Sequence, residues 1–287
     1  MKTETLMILP ATGSPAETET GSVQFIGNAT LLIRYGDLII LTDPTFIHRH
    51  EQVSIGCGMH STRLTDPAME IGDLPPLDLI VLSHFHGDHF DQVAERELDK
   101  SIPIVTTREA AIELQERGFR QAKAMETWSS VSVEKGDLRL RITSMPGRHG
   151  PLLSEIIMPE VMGSMLEFEI SGGHRYRLYI TGDTLIIDDL KDIPSRYPDI
   201  DLALLHLGGT RVLGILVTMD AKQGVEMVRL VRPHLAIPIH YNDYDVFKSP
   251  LSDFQREITE AGLHDRIRYL SHGETYTFQA ASNRAAA

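Results

Sequence analysis

The sequence predicts an α+β chain, and three observations carry that expectation. Apolar, β-favouring runs recur in both halves, several joined in pairs by short Gly-containing turns. Stretches of helical period lie among those runs instead of forming a separate block. No repeat, low-complexity tract or linker divides the 287 residues. One domain over 21–279 is therefore expected, with 1–20 as a flexible N-terminal arm and 280–287 as a disordered tail.

Within the arm, Leu6–Leu9 has the character of an edge strand. Val23–Ile26 and Asn28–Arg34 are strand-like, and Tyr35-Gly36-Asp37 turns the chain into Leu38–Thr42. Pro44 stops that strand and leaves Asp43 at its mouth. Residues 45–76 form a long irregular loop holding His48, His50, Cys57 and His60. A loop of this length in a compact domain is usually functional or mobile, and it is expected to wall a cleft. Its histidines read as exposed loop residues, not metal ligands, with His48 and His60 as candidate substrate contacts.

Asp78–Leu82 is an apolar run of strand length, 92–100 reads as a helix, and Ile102–Thr106 is a short strand. Arg108–Arg117 is helical and stops at Gly118. Val131–Val133 and Leu138–Thr143 flank Lys135-Gly136-Asp137 as a second hairpin. The stretch 152–162 is irregular and expected to roof a pocket. Strands follow at Ser164–Ser171 and Tyr176–Thr181, a helix at Ile186–Ile193, and a strand at Leu202–Leu207. Asp220 is a good N-cap for a helix running to Arg232. Leu235–Ile239 is a strand, Leu251–Ala261 a helix, and Arg268–Leu270 and Glu274–Phe278 are closing strands.

Composition narrows the function. The chain is 42% hydrophobic, enough for a sizeable core. A net charge of −13 and a pI near 5.4 oppose general nucleic-acid binding. One cysteine permits no internal disulfide, which suits a reducing compartment. No signal peptide is visible, and no apolar run approaches the ~18 residues of a membrane span. A cytoplasmic protein acting on a small molecule, without nucleic acid or membrane span, is the expectation; a homo-oligomer stays open.

The chemistry concentrates in Ser83-His84-Phe85-His86-Gly87-Asp88-His89, an H-x-H-x-D-H cluster. It leaves the end of a strand, where a rigid scaffold can aim side chains into a cleft. Neutral imidazoles and carboxylates are ligands for zinc, and for iron or manganese in mixed N/O sites. His84 and His86 can point one way while Asp88 and His89 point another, so one loop can feed two adjacent ions.

This motif resembles that of the metallo-β-lactamase superfamily of hydrolases, and the resemblance covers most of the chain. It implies a four-layer αββα sandwich, two sheets face to face with helices outside. It also implies a ligand set: His84, His86 and His149 on one metal, Asp88, His89 and His240 on the other, and Asp183 bridging both. The bland alternative for Asp183 is a cap on the following helix. Asp88 and Asp183 are the catalytic candidates, Asp88 orienting the nucleophile or relaying a proton. Asp43 is a candidate for holding a ligand imidazole in its tautomer, with a turn-initiating Asp-Pro as the alternative. His206, inside an apolar strand, reads as a core histidine with a pocket role open.

Gly27–Ile33, Leu41–Pro44, Thr181–Thr184 and Met219–Ala221 further resemble the branch containing ascorbate-6-phosphate lactonase and N-acylphosphatidylethanolamine phospholipase D. That resemblance implies a metal-dependent hydrolase of a small ester, lactone or phosphodiester. It would use two divalent ions, with Zn2+ expected and Mn2+ or Fe as alternatives. The competing readings are a di-iron redox protein on the same fold and a metal-dependent nuclease. The loop 45–76 and His206 depart from the branch and bear on substrate choice.

Overall fold

The computed structural model describes residues 5–10, 20–56, 58–151, 158–170 and 175–279. In chain order the strands are β1 (Thr5–Leu9), β2 (Thr20–Gly27), β3 (Thr30–Tyr35), β4 (Leu38–Thr42), β5 (Gln52–Ser54), β6 (His60–Thr62), β7 (Leu79–Val81), β8 (Ile104–Thr106), β9 (Ala122–Ala124), β10 (Ser130–Lys135), β11 (Leu138–Met145), β12 (Gly163–Ile170), β13 (Tyr176–Ile180), β14 (Leu202–His206), β15 (Arg211–Val212), β16 (Ile215–Leu216), β17 (Leu235–Ile239) and β18 (Thr275–Gln279). The helices are α1 (Gln92–Glu97), α2 (Arg108–Glu116), α3 (Ile193–Arg196), α4 (Ala221–Val231) and α5 (Leu251–Ala261).

Two seven-stranded mixed sheets carry the architecture, ordered β1-β10-β11-β12-β13-β14-β17 and β18-β2-β3-β4-β7-β8-β9. Successive side chains on a strand face opposite ways, and the packing follows that alternation. Leu31 and Ile33 of β3 enter the core between the sheets, where they join Leu140, Leu166, Leu178 and Leu204 from the other sheet. Leu32 turns outward to pack with Ala94 of α1 and Ala110 and Leu114 of α2. On β14, Leu202 and Leu204 face the inter-sheet core, while Ala203 and Leu205 meet Val225 and Val228 of α4 and Phe254 and Ile258 of α5. Strands buried on both faces read as continuous apolar runs, which is why β14 shows no polar alternation. The result is the four-layer αββα sandwich.

Chain direction then assembles the site. β4, β7 and β8 run parallel in one sheet, and β13, β14 and β17 in the other. Their C-terminal ends lie at one edge, where strand-to-helix crossovers leave irregular chain free to present side chains.

The edge strand expected over Leu6–Leu9 forms, and several other elements differ from expectation. β1 is an edge strand paired in parallel with β10; the rest of the arm (1–4 and 11–19), the tail 280–287, Cys57 and residues 152–157 of the expected pocket roof lie outside the described residues. Helix α1 stops at Glu97. The expected helix over 186–193 is a 3-10 turn at Asp188–Asp192 followed by the four-residue α3. Pro194 sits in the first turn of α3, where its missing N–H costs nothing, so it starts a new helix instead of extending the old one. The expected strand over 268–270 is absent; only an isolated bridge, Ala236 with Ile267, forms there. The loop 45–76 contains the hairpin β5–β6 and a short 3-10 turn at Ile71–Asp73. Among the described residues, no helix is long and apolar enough to cross a membrane.

Candidate metal centre

The edge shared by the two sheets gathers His84, His86, Asp88 and His89 from the loop after β7, His149 from the loop after β11, Asp183 after β13 and His240 after β17. All are buried except His86, which keeps a partly exposed edge. Potential ligand atoms cluster in overlapping groups: His84/His86/His149, His84/His89/Asp183 and Asp88/His89/His240, each within 4.8 Å. Asp183 Oδ2 lies 3.5 Å from His89 Nε2 and Oδ1 lies 3.4 Å from His240 Nδ1. His240 Nε2 lies 3.5 Å from Asp88 Oδ2.

The surrounding hydrogen bonds decide which ring atom faces inward. His149 Nδ1 is 2.9 Å from the Val217 carbonyl, and His240 Nδ1 is 3.1 Å from the Leu207 carbonyl. A carbonyl only accepts, so both rings carry their proton on Nδ1 and their lone pair on Nε2. His89 Nδ1 faces Asp43 Oδ2 at 3.5 Å and Ser83 Oγ at 3.3 Å, which again turns Nε2 inward. Asn28 fastens two of the loops: its side-chain amide donates to the Asp88 carbonyl at 2.5 Å, and its own carbonyl accepts from the His240 N–H at 2.8 Å. Gly182 is a position here where space forbids a side chain. It has φ +64°, and a Cβ would lie 2.5 Å from the Met162 carbonyl oxygen.

The donor set fits metal. His89 Nε2, His240 Nε2, Asp88 Oδ1 and Asp183 Oδ1 are buried without a hydrogen-bond partner. A buried polar atom left unpaired costs about 1–3 kcal/mol, and four at one point need a common partner. His84 Nε2 and His86 Nδ1 are 3.2 Å apart. Two nitrogens at about 2.0–2.1 Å from one tetrahedral zinc are separated by about 3.3 Å, so this pair is spaced as two ligands of one ion. The cluster is suited to one or two divalent metal ions.

Electrostatics separate the rings. Burial, reinforced by neighbouring imidazoles, lowers His84 far below its usual range and lowers His86 to about 3; burial lowers His149 as well. For His89, burial is outweighed by Asp183 and Asp88, which raise it well above 6.5. Burial also opposes the charge on Asp88, yet His89 and His240 bring that carboxylate down to about 2.

A pH dependence follows from His86. Its folded-state value lies below the 6.5 of the unfolded chain, so below pH 6.5 the unfolded chain binds the extra proton. Its contribution to stability is present above pH 6.5 and is lost as pH falls toward 3, at up to about 1.4 kcal/mol per unit. The ring's exposed edge reduces this. Metal-free His86→Gln is expected to lose about 1 kcal/mol less than the metal-free parent between pH 6.5 and 5. Urea titrations at the two pH values measure it, and equal losses would contradict the assignment.

The remaining sequence candidates divide. Asp43 is buried behind His89, and His206 Nε2 lies 3.3 Å from Asp43 Oδ2. His48 and His60 do not join the cluster. His48 is 53% exposed and pairs with Asp66 and Glu70, each at 3.3 Å, and His60 is exposed on β6. The loop does reach the centre, but through Gly56, where a Cβ would lie 3.2 Å from His86 Nε2. Asp183 caps no helix, since the next one begins five residues on; Thr218 instead donates to its Oδ2 at 2.8 Å. Sequence reasoning passed over Thr218, Ser83 and Asn28 as site residues. Ser83 and Asn28 lay inside quoted motifs, whereas nothing in the chain marks the Thr218 hydroxyl.

Beside His149 opens a cavity of about 560 Å³, bounded by Thr107, Met125, Arg148, Met158 and Val161 among others. Fold and ligand-type cluster together define a metal-dependent hydrolase fold of the metallo-β-lactamase superfamily. The family described as "Beta-lactamase superfamily domain" matches residues 39–241, and the chain belongs to it. It is 29% identical to a metal-dependent hydrolase of Methanopyrus kandleri over 199 residues, 69% of this chain and 81% of that one. Among solved structures, it resembles an isothiocyanate hydrolase from Delia radicum gut bacteria (21% identity, TM-score 0.74, 90% of this chain and 100% of that one). It likewise resembles a possible metal-dependent hydrolase of Veillonella parvula (22% identity, TM-score 0.75, 90% and 99%).

Proposed function

We propose that the chain is a two-ion hydrolase, with zinc as the ion best suited to the site, cleaving a small carboxylic ester, lactone or phosphodiester. The observation that carries this reading is the convergence of four buried, unpartnered ligand atoms from Asp88, His89, Asp183 and His240. His84, His86 and His149 would hold one ion, Asp88, His89 and His240 the other, and Asp183 both. Bound divalent ions supply Lewis acidity and a water acidic enough to give hydroxide near neutral pH.

The protein's own groups do the rest. Asp88, kept ionised at the working pH, accepts a hydrogen bond from the attacking water and aims it. The carbonyls of Val217 and Leu207 hold His149 and His240 in the tautomer a ligand needs. Water is added across the bond, the acyl–oxygen or phosphoryl–oxygen link breaks, and the products are an acid and an alcohol, both carried on one molecule when the substrate is a lactone. The lactonase and phospholipase D-like stretches of the sequence support these bond classes. The net charge of −13 favours a small molecule over nucleic acid, and the single cysteine suits the cytoplasm.

Elemental mass spectrometry on protein purified without chelator is the test. Two zinc or manganese ions per chain, with ester or phosphodiester turnover, are expected. Two iron ions without hydrolysis would put the redox reading in its place, and failure to bind metal even on reconstitution would remove the mechanism.

A further inference from the structure

The segment from Leu207 to Met219, between β14 and α4, supplies no ligand of its own, yet it touches ligands of both halves of the centre. The Leu207 carbonyl accepts from His240 Nδ1 at 3.1 Å, and the Val217 carbonyl accepts from His149 Nδ1 at 2.9 Å. Thr218 donates its hydroxyl proton to Asp183 Oδ2 at 2.8 Å. Three ligands from three separate loops therefore rest on a single stretch of chain.

Backbone bonds hold that stretch in place without the Thr218 hydroxyl. The Gly209 N–H donates to the Met219 carbonyl at 3.0 Å, and the Val217 N–H to the Thr210 carbonyl at 2.9 Å, which closes the segment on itself. The Met219 N–H donates to the Thr184 carbonyl at 3.1 Å and ties the segment to the residue after Asp183. What the hydroxyl adds is local. Thr218 is fully buried, and its one side-chain proton goes to Asp183.

A carboxylate needs such a hold more than an imidazole pinned by a carbonyl does. Its terminal torsion is broad and roughly twofold, so backbone position alone does not decide which oxygen faces which ring. With Oδ2 bonded to Thr218, that oxygen stands 3.5 Å from His89 Nε2. Oδ1 then stands 3.4 Å from His240 Nδ1, buried and without a hydrogen-bond partner. The bond from Thr218 takes one lone pair of Oδ2 and leaves another for an ion.

We propose that Thr218 is a positioning residue whose hydroxyl sets the plane of the Asp183 carboxylate, and with it the capacity of that side chain to serve two ions. This rests on the two-ion reading above, in which Asp183 is shared.

Three variants separate the hydroxyl from the packing of the side chain. Thr218→Val and Thr218→Ala remove the hydroxyl, the first at nearly constant shape, and Thr218→Ser keeps it while removing the methyl group. Each metal-loaded protein is titrated with a chromophoric chelator, and the Co2+-substituted forms are compared by absorption spectroscopy. Thr218→Val and Thr218→Ala are expected to hold the more weakly bound ion about 10–100-fold less tightly than the parent and to shift the Co2+ bands. Thr218→Ser is expected to stay within a few-fold of the parent and to keep its bands. A role in packing alone gives the opposite order, with Thr218→Val parental and Thr218→Ser weakened. That order, or parental affinity for both ions in the two variants without a hydroxyl, overturns the proposal. If Thr218→Val does not fold, the contrast between Thr218→Ala and Thr218→Ser decides on the same terms. A parent that binds no metal on reconstitution overturns the two-ion reading itself. A two-ion parent with unaffected variants leaves that reading standing and removes only the role of Thr218.

Discussion

Asp183→Ala is expected to lower kcat on the order of a thousandfold or more and to bring metal content below two ions per chain. The carboxylate is buried, and it stands within 3.5 Å of His89 Nε2 and 3.4 Å of His240 Nδ1. Asp183 also clusters with His84, so it stands beside rings assigned to both halves of the centre. Burial disfavours its charge, but His240 and His89 keep it ionised far below the usual carboxylate range. The variant removes an anion from among imidazoles and strands the Thr218 hydroxyl. Asp183→Asn keeps the shape and one carbonyl oxygen but not the charge, and is expected to fall between the two. Elemental mass spectrometry and steady-state kinetics on one preparation, with circular dichroism as the folding check, measure the effect. A folded Asp183→Ala protein with two ions and parental turnover would refute the ligand assignment.

How much of this was legible in the chain depended on distance along it. The H-x-H-x-D-H loop could be read directly because a strand, a turn and four ligand-type side chains are contiguous. Its neighbour Asp91 caps α1 and also accepts from the Phe46 and Ile47 N–H groups, so the loop is held at both ends. His149, Asp183 and His240 are single residues far apart in sequence. Only parallel strand order brings them together, and order is not a local signal, so resemblance alone pointed to them. His206 was ambiguous because a core histidine and a partner of a buried carboxylate share one pattern: both sit in an apolar strand. His48 and His60 read as exposed loop histidines, and their exposed side chains agree with that reading. They lie near the centre in sequence, but their side chains sit on the solvent side of the chain that reaches it. The helix expected over 186–193 failed because eight residues hold barely two turns of pattern, and Pro194 outweighs them.

Asp43→Asn is expected to weaken binding of one metal ion by about 10–100-fold while leaving the other nearly unchanged. Asp43 has φ +35°, a conformation asparagine also tolerates, so the substitution adds no backbone strain. Its Oδ1 accepts from the Ser83 N–H at 2.7 Å, and its Oδ2 lies 3.3 Å from His206 Nε2 and 3.5 Å from His89 Nδ1. Burial works against the charge, but hydrogen bonds from His206 and His89 outweigh it and hold the carboxyl below its usual range. A carboxylate can only accept, so both rings must present a proton to it. His206 then has a free Nδ1 to take the Thr181 hydroxyl at 3.4 Å, and His89 has a free Nε2 for the centre. In the variant, Oδ1 still serves Ser83, but an amide NH2 now faces two ring N–H groups. Relief requires His89 to move its proton to Nε2, which removes the lone pair its metal needs. His206→Leu leaves Asp43 with His89 and is expected to weaken binding only a few-fold. Competition titrations against a chromophoric chelator separate the two ions, and parental affinity for both in Asp43→Asn would show that Asp43 is no more than a turn residue before Pro44.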